Sequence, residues 1–329
     1  MGHGYWLSIL IPVYNVAPWL HACLGSVCDQ ADAGVEIIVL DDCSTDNSRE
    51  LLADFIQQSP VPIKFLQHSH NGGLSAARNT MLDAASGTYV WFLDSDDLLE
   101  DGAIARLLRI VAHDSPDLVM CDFRVLREQQ TFKHRWRGEN HRKAFVGKER
   151  SLERNPADLF YGLYKKGELH IWSKIGKRAL WGDDLRFPVG RYMEDMTTTP
   201  RLALRAKTWW YEPAVWVAYR QRAGSILSTP SLKKITDSAS GSEGVLADWL
   251  ATYPQLPSRA RLAFSHYCAR THYSTLRDLK RLDASAYAKE KTEYRKRLFN
   301  TIHWGRAQLC WEYGRRGLAS RLLRFLANY

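Results

Sequence analysis

The stretch TYVWFLDSDDLLE, Thr88–Glu100, joins a run of apolar and aromatic residues to three aspartates, Asp94, Asp96 and Asp97. A short run that is apolar on both faces reads as a strand buried on both faces. Carboxylates this close repel and raise one another's pKa. A positive partner is therefore expected at the strand's end. In an extended Asp-x-Asp, Asp94 and Asp96 point to one side and Ser95 to the other, which leaves Asp97 to cap the following turn. Carboxylate oxygens suit a hard divalent cation such as Mg²⁺ or Mn²⁺, which often arrives with substrate phosphates. An Asp-x-Asp alone is common in loops; the buried strand before it gives it weight.

The same alternation runs outward in both directions. WLSILIPV (6–13), VEIIVLDD (35–42), PIKFLQ (62–67) and DLVMCDFRVL (117–126) read as further strands. Between them lie helical patterns in WLHACLGSVCDQ, STDNSRELLADFIQQ, NGGLSAARNTMLDAAS and DGAIARLLRIVAH. Strands alternating with helices predict an α/β fold with a mostly parallel, Rossmann-like sheet flanked by helices. Ligands in such folds bind beyond the carboxyl ends of the strands. Tyr14–Asn15, Asp41–Asp42 and Asp94–Asp97 all fall there, although Asp and Asn also favour ordinary turns. Residues 127–150 read as a polar, basic loop or hairpin, and TWWYEP and VWVAYRQR as two aromatic β-like runs. From about residue 230 the pattern turns helical. The expected division is a catalytic domain over 1–228 and a basic helical region over 229–329.

Three more motifs can carry chemistry. In HNGGLSAARN (70–79), Gly72–Gly73 allow a tight turn before a helix, whose exposed amides can attract an anion. Arg78 on that helix adds a forked donor for phosphate oxygens, or is an ordinary surface arginine. The segment is neither a Walker loop nor a GxGxxG fingerprint. In MEDM (193–196), Glu194 and Asp195 precede a helix start. They either complement the helix dipole or place a general base on a rigid element. His68 and His70 lack a third ligand at a useful spacing and read as loop histidines. Most of the 12 Trp, 15 Tyr and 11 Phe are expected in the core.

The chain of 329 residues has the composition of an ordinary globular protein, and no stretch approaches the roughly 18 uninterrupted apolar residues of a membrane span. No basic n-region precedes the first strand, so no signal peptide is expected. The six cysteines form no CxxC pair and are expected to be reduced and mostly packed. The net charge of +9 is uneven: residues 258–329 hold 16 Lys+Arg against 5 Asp+Glu, and the rest 29 against 31. Such a basic tail suits an anionic partner, or is simply a solvated face.

Taken together, SILIPVYNVAPWLHACLGSVCDQ, VEIIVLDDCSTDNS, NGGLSAARN and YVWFLDSDDLLEDG resemble family 2 glycosyltransferases of the GT-A fold. IWSKIGKRAL, MEDM and YRQRAGSI resemble the bacterial polysaccharide and lipopolysaccharide members. The resemblance covers the first two-thirds of the chain and leaves a helical C-terminal extension less clearly matched. It implies an inverting transfer of sugar from a nucleotide-diphosphate donor, typically a UDP-sugar, to a hydroxyl of a cell-surface glycan or lipid-linked acceptor, with Mn²⁺ or Mg²⁺ as cofactor. By motif position, it implies that Pro12, Tyr14 and Asn15 border the nucleobase and that Asp41 hydrogen-bonds it. Arg78 then approaches the diphosphate, Asp94 and its neighbour Ser95 belong to the donor site, and Asp96 binds the metal. Asp195 is the implied base, with Glu194 supporting it or touching the acceptor. Arg222 and Ser225 lie on an implied loop over the donor. Cys43 stands where Gly is common in that motif, so the turn there is expected to differ slightly.

The segment from Thr301 to Tyr329 reads as two amphipathic helices broken near Gly314–Gly317. Ile302, Leu309, Tyr313, Leu318, Leu322 and Phe325, with Phe299 just before the segment, form its apolar stripe, with arginines between. That pattern fits a helix on an anionic membrane surface, and equally one packed against the catalytic domain. The first reading gives a cytoplasmic enzyme, peripheral on the inner face of the membrane. No nucleic-acid motif is present. The rival readings are a nucleotidyltransferase, disfavoured because no Gly-rich Lys- or Arg-bearing loop follows strand 1, and a non-catalytic nucleotide-sugar-binding protein, disfavoured by the intact Asp94, Asp96 and Asp195.

Overall fold

The computed structural model describes residues 4–127, 129, 131–222 and 229–328, with the backbone alone at 133, 135 and 328. In chain order the elements are β1 (Leu7–Val13), α1 (Ala17–Cys28), β2 (Val35–Asp41), α2 (Ser48–Gln58), β3 (Ile63–Gln67), α3 (Leu74–Ala84), β4 (Tyr89–Phe92), β5 (Leu98–Leu99), α4 (Ala103–His113) and β6 (Leu118–Leu126). Then come α5 (Phe132–Trp136), α6 (Pro156–Lys166), β7 (Lys174–Lys177), α7 (Glu194–Arg205) and β8 (Trp209–Arg220). The chain continues as α8 (Leu232–Ser240), α9 (Val245–Thr252), α10 (Ser258–Leu282), α11 (Ala284–Ile302), α12 (Arg306–Arg315) and α13 (Ala319–Asn328).

The strands form one sheet in the order β3-β2-β1-β4-β7-β6-β8-β5. Every residue of β1 and β2 is buried. Their alternation serves two cores. Leu7, Ile9, Ile11, Ile37 and Val39 pack with Leu20 and Leu24 of α1 and Leu107 of α4. Leu10, Ile38 and Leu40 face Met81 of α3 and a cluster that runs on through α6 and α10 to Leu309 and Phe325. The C-terminal helices therefore share a core with one face of the sheet. The boundary expected at 228/229 adjoins residues 223–228, outside the described residues.

Four of the seven strand pairings are parallel and three short ones are antiparallel, a mixed sheet within the expected, mostly parallel architecture. β3, β2, β1 and β4 are parallel neighbours, and β6 runs parallel to β8. Between them β7 pairs antiparallel with both β4 and β6, and β5 is antiparallel to β8. The two aromatic runs are one strand, β8, with a register shift opposite Cys121–Asp122. Residues 127–150 include the single-turn helix α5 and a bridge of Arg142 to Phe123. All six cysteines are free, four of them buried. Among the described residues, no helix is long and apolar enough to cross a membrane.

Candidate active site at the carboxyl edge of the sheet

Parallel pairing of β1 with β2 and β4 brings three strand ends together, with Val13 beside Asp41 and Leu10 beside Phe92. Pro12 is buried in β1, while Tyr14 just beyond it is 45% exposed. Asn15 adopts a left-handed conformation (φ 52°), which asparagine tolerates better than most residues. Its side chain accepts from the Thr45 and Asp46 amides and so ties the loop after β1 to the loop after β2. Asp41 is fully buried; it accepts from the Ser44 amide and pairs with Arg49 at 3.1 Å. Arg49, on α2, is a polar neighbour of this edge that no motif announces. Cys43 adopts a left-handed φ of 61°, a conformation that glycine takes more easily. A side chain held in that conformation costs about 1–2 kcal/mol.

The Gly72–Gly73 amides do not await an external anion. Both donate to the buried Asp42 carboxylate, at 2.9 and 2.8 Å, and His68 contacts the same group at 2.6 Å. The chain supplies its own anion to this loop. His68 bridges Asp42 and Thr80, in keeping with a loop histidine.

The strand carrying the aspartates ends at Phe92, and Asp94–Asp97 form a turn closed by the Asp97 amide on the Asp94 carbonyl. The two-residue alternation expected of an extended segment stops there, and the two carboxylates take separate partners. Asp94 pairs with Arg78 at 2.8 Å, and Asp96 pairs with Arg222 at 2.8 Å. Ser95 is buried between them. Asp97 is fully buried and does not cap the turn; it accepts from the Arg220 amide at 2.7 Å and so pins the end of β8. Burial and then its two acidic neighbours, Asp94 and Asp96, push the Asp97 pKa far up. Arg222 also lies over the Trp19 ring at 4.2 Å. Ser225 lies outside the described residues.

Arg78 is the hub. Its guanidinium is 1% exposed and also meets Glu194 at 2.6 Å and Asp195 at 3.3 Å. An arginine expected to reach for a diphosphate is enclosed by three carboxylates. The reason is position: Arg78 lies on the core-facing side of α3 among buried residues, where an unpaired charge would be untenable. The two acids enter from the first turn of α7, preceded by Met193 in a left-handed conformation (φ 58°). Strain of that kind, when surrounded by order, often marks a functional turn.

Asp195 accepts from Arg78 and from the Ile171 amide at 3.2 Å. Burial raises its pKa, and Arg78 opposes the rise. Glu194 is pushed up to about 7, chiefly by burial, again against Arg78. Lys174, which interacts electrostatically with Asp195, is buried and bonded to the Glu168 and His170 carbonyls, its pKa drawn down to about 8 by burial. His170 stacks on Trp172 with ring centres 4.9 Å apart. Lys174 lies inside the IWSKIGKRAL block and His170 immediately before it, and neither belongs to a local motif that signals a site.

The donor set at Asp94 and Asp96 suits a hard cation by chemistry. Burial and the Asp94 charge both raise the Asp96 pKa, a strain that positive charge relieves. Among the described residues, no three His, Cys, Asp or Glu side chains form a metal cage. One or two carboxylates with phosphates completing the shell is a common arrangement for Mg²⁺.

The apolar stripe of the tail is used internally. Ile302, Leu309, Tyr313 and Phe325 are buried in the large core, and Phe299, Leu318 and Leu322 pack against it. Of the two readings left open, packing accounts for the stripe. Two of its arginines, Arg315 and Arg316, pair with the buried Glu312.

The family model for glycosyl transferase family 2 matches residues 8–173, half of the chain. Glycosyltransferase GlyA of Streptococcus pneumoniae is 30% identical over 227 residues, covering 67% of this chain and 31% of GlyA. The Escherichia coli protein named UDP-Glc:alpha-D-GlcNAc-diphosphoundecaprenol beta-1,3-glucosyltransferase WfgD is 42% identical over 94 residues, 29% of this chain and 36% of WfgD. The chain thus spans about a third of the length of these relatives. A crystal structure of S. aureus TarS 1–349 with UDP superposes with a TM-score of 0.69 at 18% identity, covering 98% of this chain and 88% of that one. With a sheet whose strand ends gather the expected carboxylates, a matching family model and this shared architecture, the chain belongs to glycosyl transferase family 2 and has the GT-A fold.

Proposed function

We propose that the protein transfers a sugar, with inversion, from a UDP-sugar to a hydroxyl of a cell-surface glycan or lipid-linked acceptor. The observation that carries this reading is the shared guanidinium of Arg78. It holds Asp94, on the donor side in this reading, and Asp195 in one buried cluster although they lie 101 residues apart in sequence. A base must sit within hydrogen-bond reach of the hydroxyl proton it takes, and so near the donor that this hydroxyl attacks. The UDP and lipid-linked assignments take support from the donor and acceptor in WfgD's name. A lipid-linked acceptor would place the enzyme at the cytoplasmic face of the membrane.

In this mechanism the nucleobase lies against Pro12, Tyr14 and Asn15, with Asp41 and Arg49 as the polar pair at its edge. Asp94 and Ser95 border the ribose or sugar. Asp195 takes the proton of the acceptor hydroxyl as its oxygen bonds to the anomeric carbon. The bond from that carbon to the diphosphate breaks, and the nucleoside diphosphate leaves. Glu194 keeps the electrostatic balance around the base. Asp96 would hold Mg²⁺ or Mn²⁺, which when bound offsets the charge growing on the leaving diphosphate.

The test is a panel of nucleotide sugars incubated with the protein and Mn²⁺ or Mg²⁺, with free nucleoside diphosphate as the readout. Metal-dependent release from a UDP-sugar, abolished by EDTA, is expected. If calorimetry detects no nucleotide sugar bound and none is turned over, the reading fails.

Arg222 occupies Asp96 as a cation of the chain's own. Arg222→Gln should therefore free the carboxylate and tighten Mn²⁺ binding severalfold, while Asp96→Ala should weaken it. Titration of Mn²⁺ by its electron paramagnetic resonance signal checks both. Identical Mn²⁺ affinity in the wild type and both variants would remove Asp96 from the metal site.

A further inference from the structure

The two most exposed large apolar side chains among the described residues are Phe132 (81%) and Trp136 (82%). They lie four residues apart in α5 and so share one face of a single helical turn. The segment bearing them is firmly rooted. Arg127 pairs with the buried Glu139, whose carbonyl accepts from the Val125 amide. His141 contacts the buried Asp122 at 2.7 Å, and Arg142 pairs with Phe123 through both backbone bonds. The exposure is thus held in place by structure on both sides of the turn.

Its location is equally specific. The segment leaves the sheet at Leu126, the end of β6, which pairs with Arg220. Arg220 in turn binds the Asp96 carbonyl and the Asp97 carboxylate. The aromatic turn therefore springs from the same edge of the sheet as the aspartates.

Charge decides the occupant. Residues 127–143 hold six Lys+Arg against two Glu, and Arg137, next to Trp136, is exposed. Two aromatic side chains bury at most about 500 Å², below the roughly 800 Å² per partner of a standard protein interface. A bilayer makes no such demand, because a few aromatics enter the headgroup layer while basic residues meet anionic lipids. We propose that α5 is an interfacial anchor, in which Phe132 and Trp136 enter an anionic lipid surface and hold the carboxyl edge of the sheet against it. The consequence for a lipid-linked acceptor rests on the transfer reading above; the binding itself does not.

The experiment is co-sedimentation of the full chain with phosphatidylcholine vesicles, with and without phosphatidylglycerol, alongside acceptor-free nucleotide release. The wild type should bind the anionic vesicles, and Phe132→Ala/Trp136→Ala should bind about tenfold less while releasing nucleotide at the wild-type rate. Trp136→Phe should retain most of the binding. Equal sedimentation of wild type and double variant would overturn the proposal by leaving charge alone as the cause. So would a wild type that stays in solution with anionic vesicles at low salt. Vesicle binding without nucleotide release would uphold the anchor and sink the transfer reading instead.

Discussion

Asp195→Asn should lower the rate of sugar transfer by about 10²–10⁴-fold, the usual worth of a positioned base, and leave donor affinity nearly unchanged. The amide keeps the size of the side chain, and its oxygen can still accept from the Ile171 amide that now bonds Oδ2. What it loses is the capacity to take a proton and the charge facing Arg78. Transfer rates at saturating donor, set beside donor calorimetry, separate the two effects. Near-native turnover would assign the base elsewhere. The pH profile gives an independent reading. Asp195 serves only when unprotonated, and burial raises its pKa above the ordinary aspartate value. The rate should therefore fall with acidification sooner than a solvent-exposed aspartate would dictate. Glu194, held near 7 beside it, adds its own titration to that limb, so the profile belongs to the pair.

What could be read beforehand follows a physical division. β1 and β2 were legible because both faces of each are buried, which leaves a continuous apolar run. β7 was not, because Lys174–Lys177 is four residues with a lysine at each end and shows no period. β8 was split in two by Glu212–Pro213, at the register shift where the strand bends past Cys121 and Asp122. The same limit applied at the site. The acids themselves were legible, since carboxylates at strand and helix ends form local patterns. Their partners were not. Arg78 meets Glu194 across 116 residues, and Asp42 fills the glycine amides across 30. Local sequence thus showed Arg78 and the Gly72–Gly73 amides as groups suited to an anion, but not the carboxylates of the chain itself that they meet. The tail shows the converse: its stripe was visible, but the body that covers it was not.

Arg78→Met should destabilise the protein by about 3–5 kcal/mol at neutral pH, the cost of removing one partner from a buried charge cluster. The guanidinium is almost wholly buried, while Asp94, Glu194 and Asp195 retain only 28%, 11% and 16% of their side-chain exposure. Methionine fills part of the volume beside Phe187, so lost packing contributes less than lost charge. The pH dependence separates the two. Arg78 lowers the pKa of both Glu194 and Asp195, so without it both rise further above their unfolded values. Between the unfolded and folded pKa values, the folded state of the variant binds more protons than the unfolded state. Its stability must then fall as pH rises through that window. The gap from the wild type should be small near pH 5 and widest near pH 8, as read from urea midpoints at the two values. A gap equal at both would make Arg78 a packing residue. A variant as stable as the wild type at pH 8 would show that the three carboxylates do not need it. The same rise in pKa should carry the acid limb of the transfer rate to higher pH, although Arg78 touches neither donor nor acceptor in the mechanism proposed. Loss of an arginine that merely gripped phosphate would instead weaken donor affinity and leave that limb where it stands.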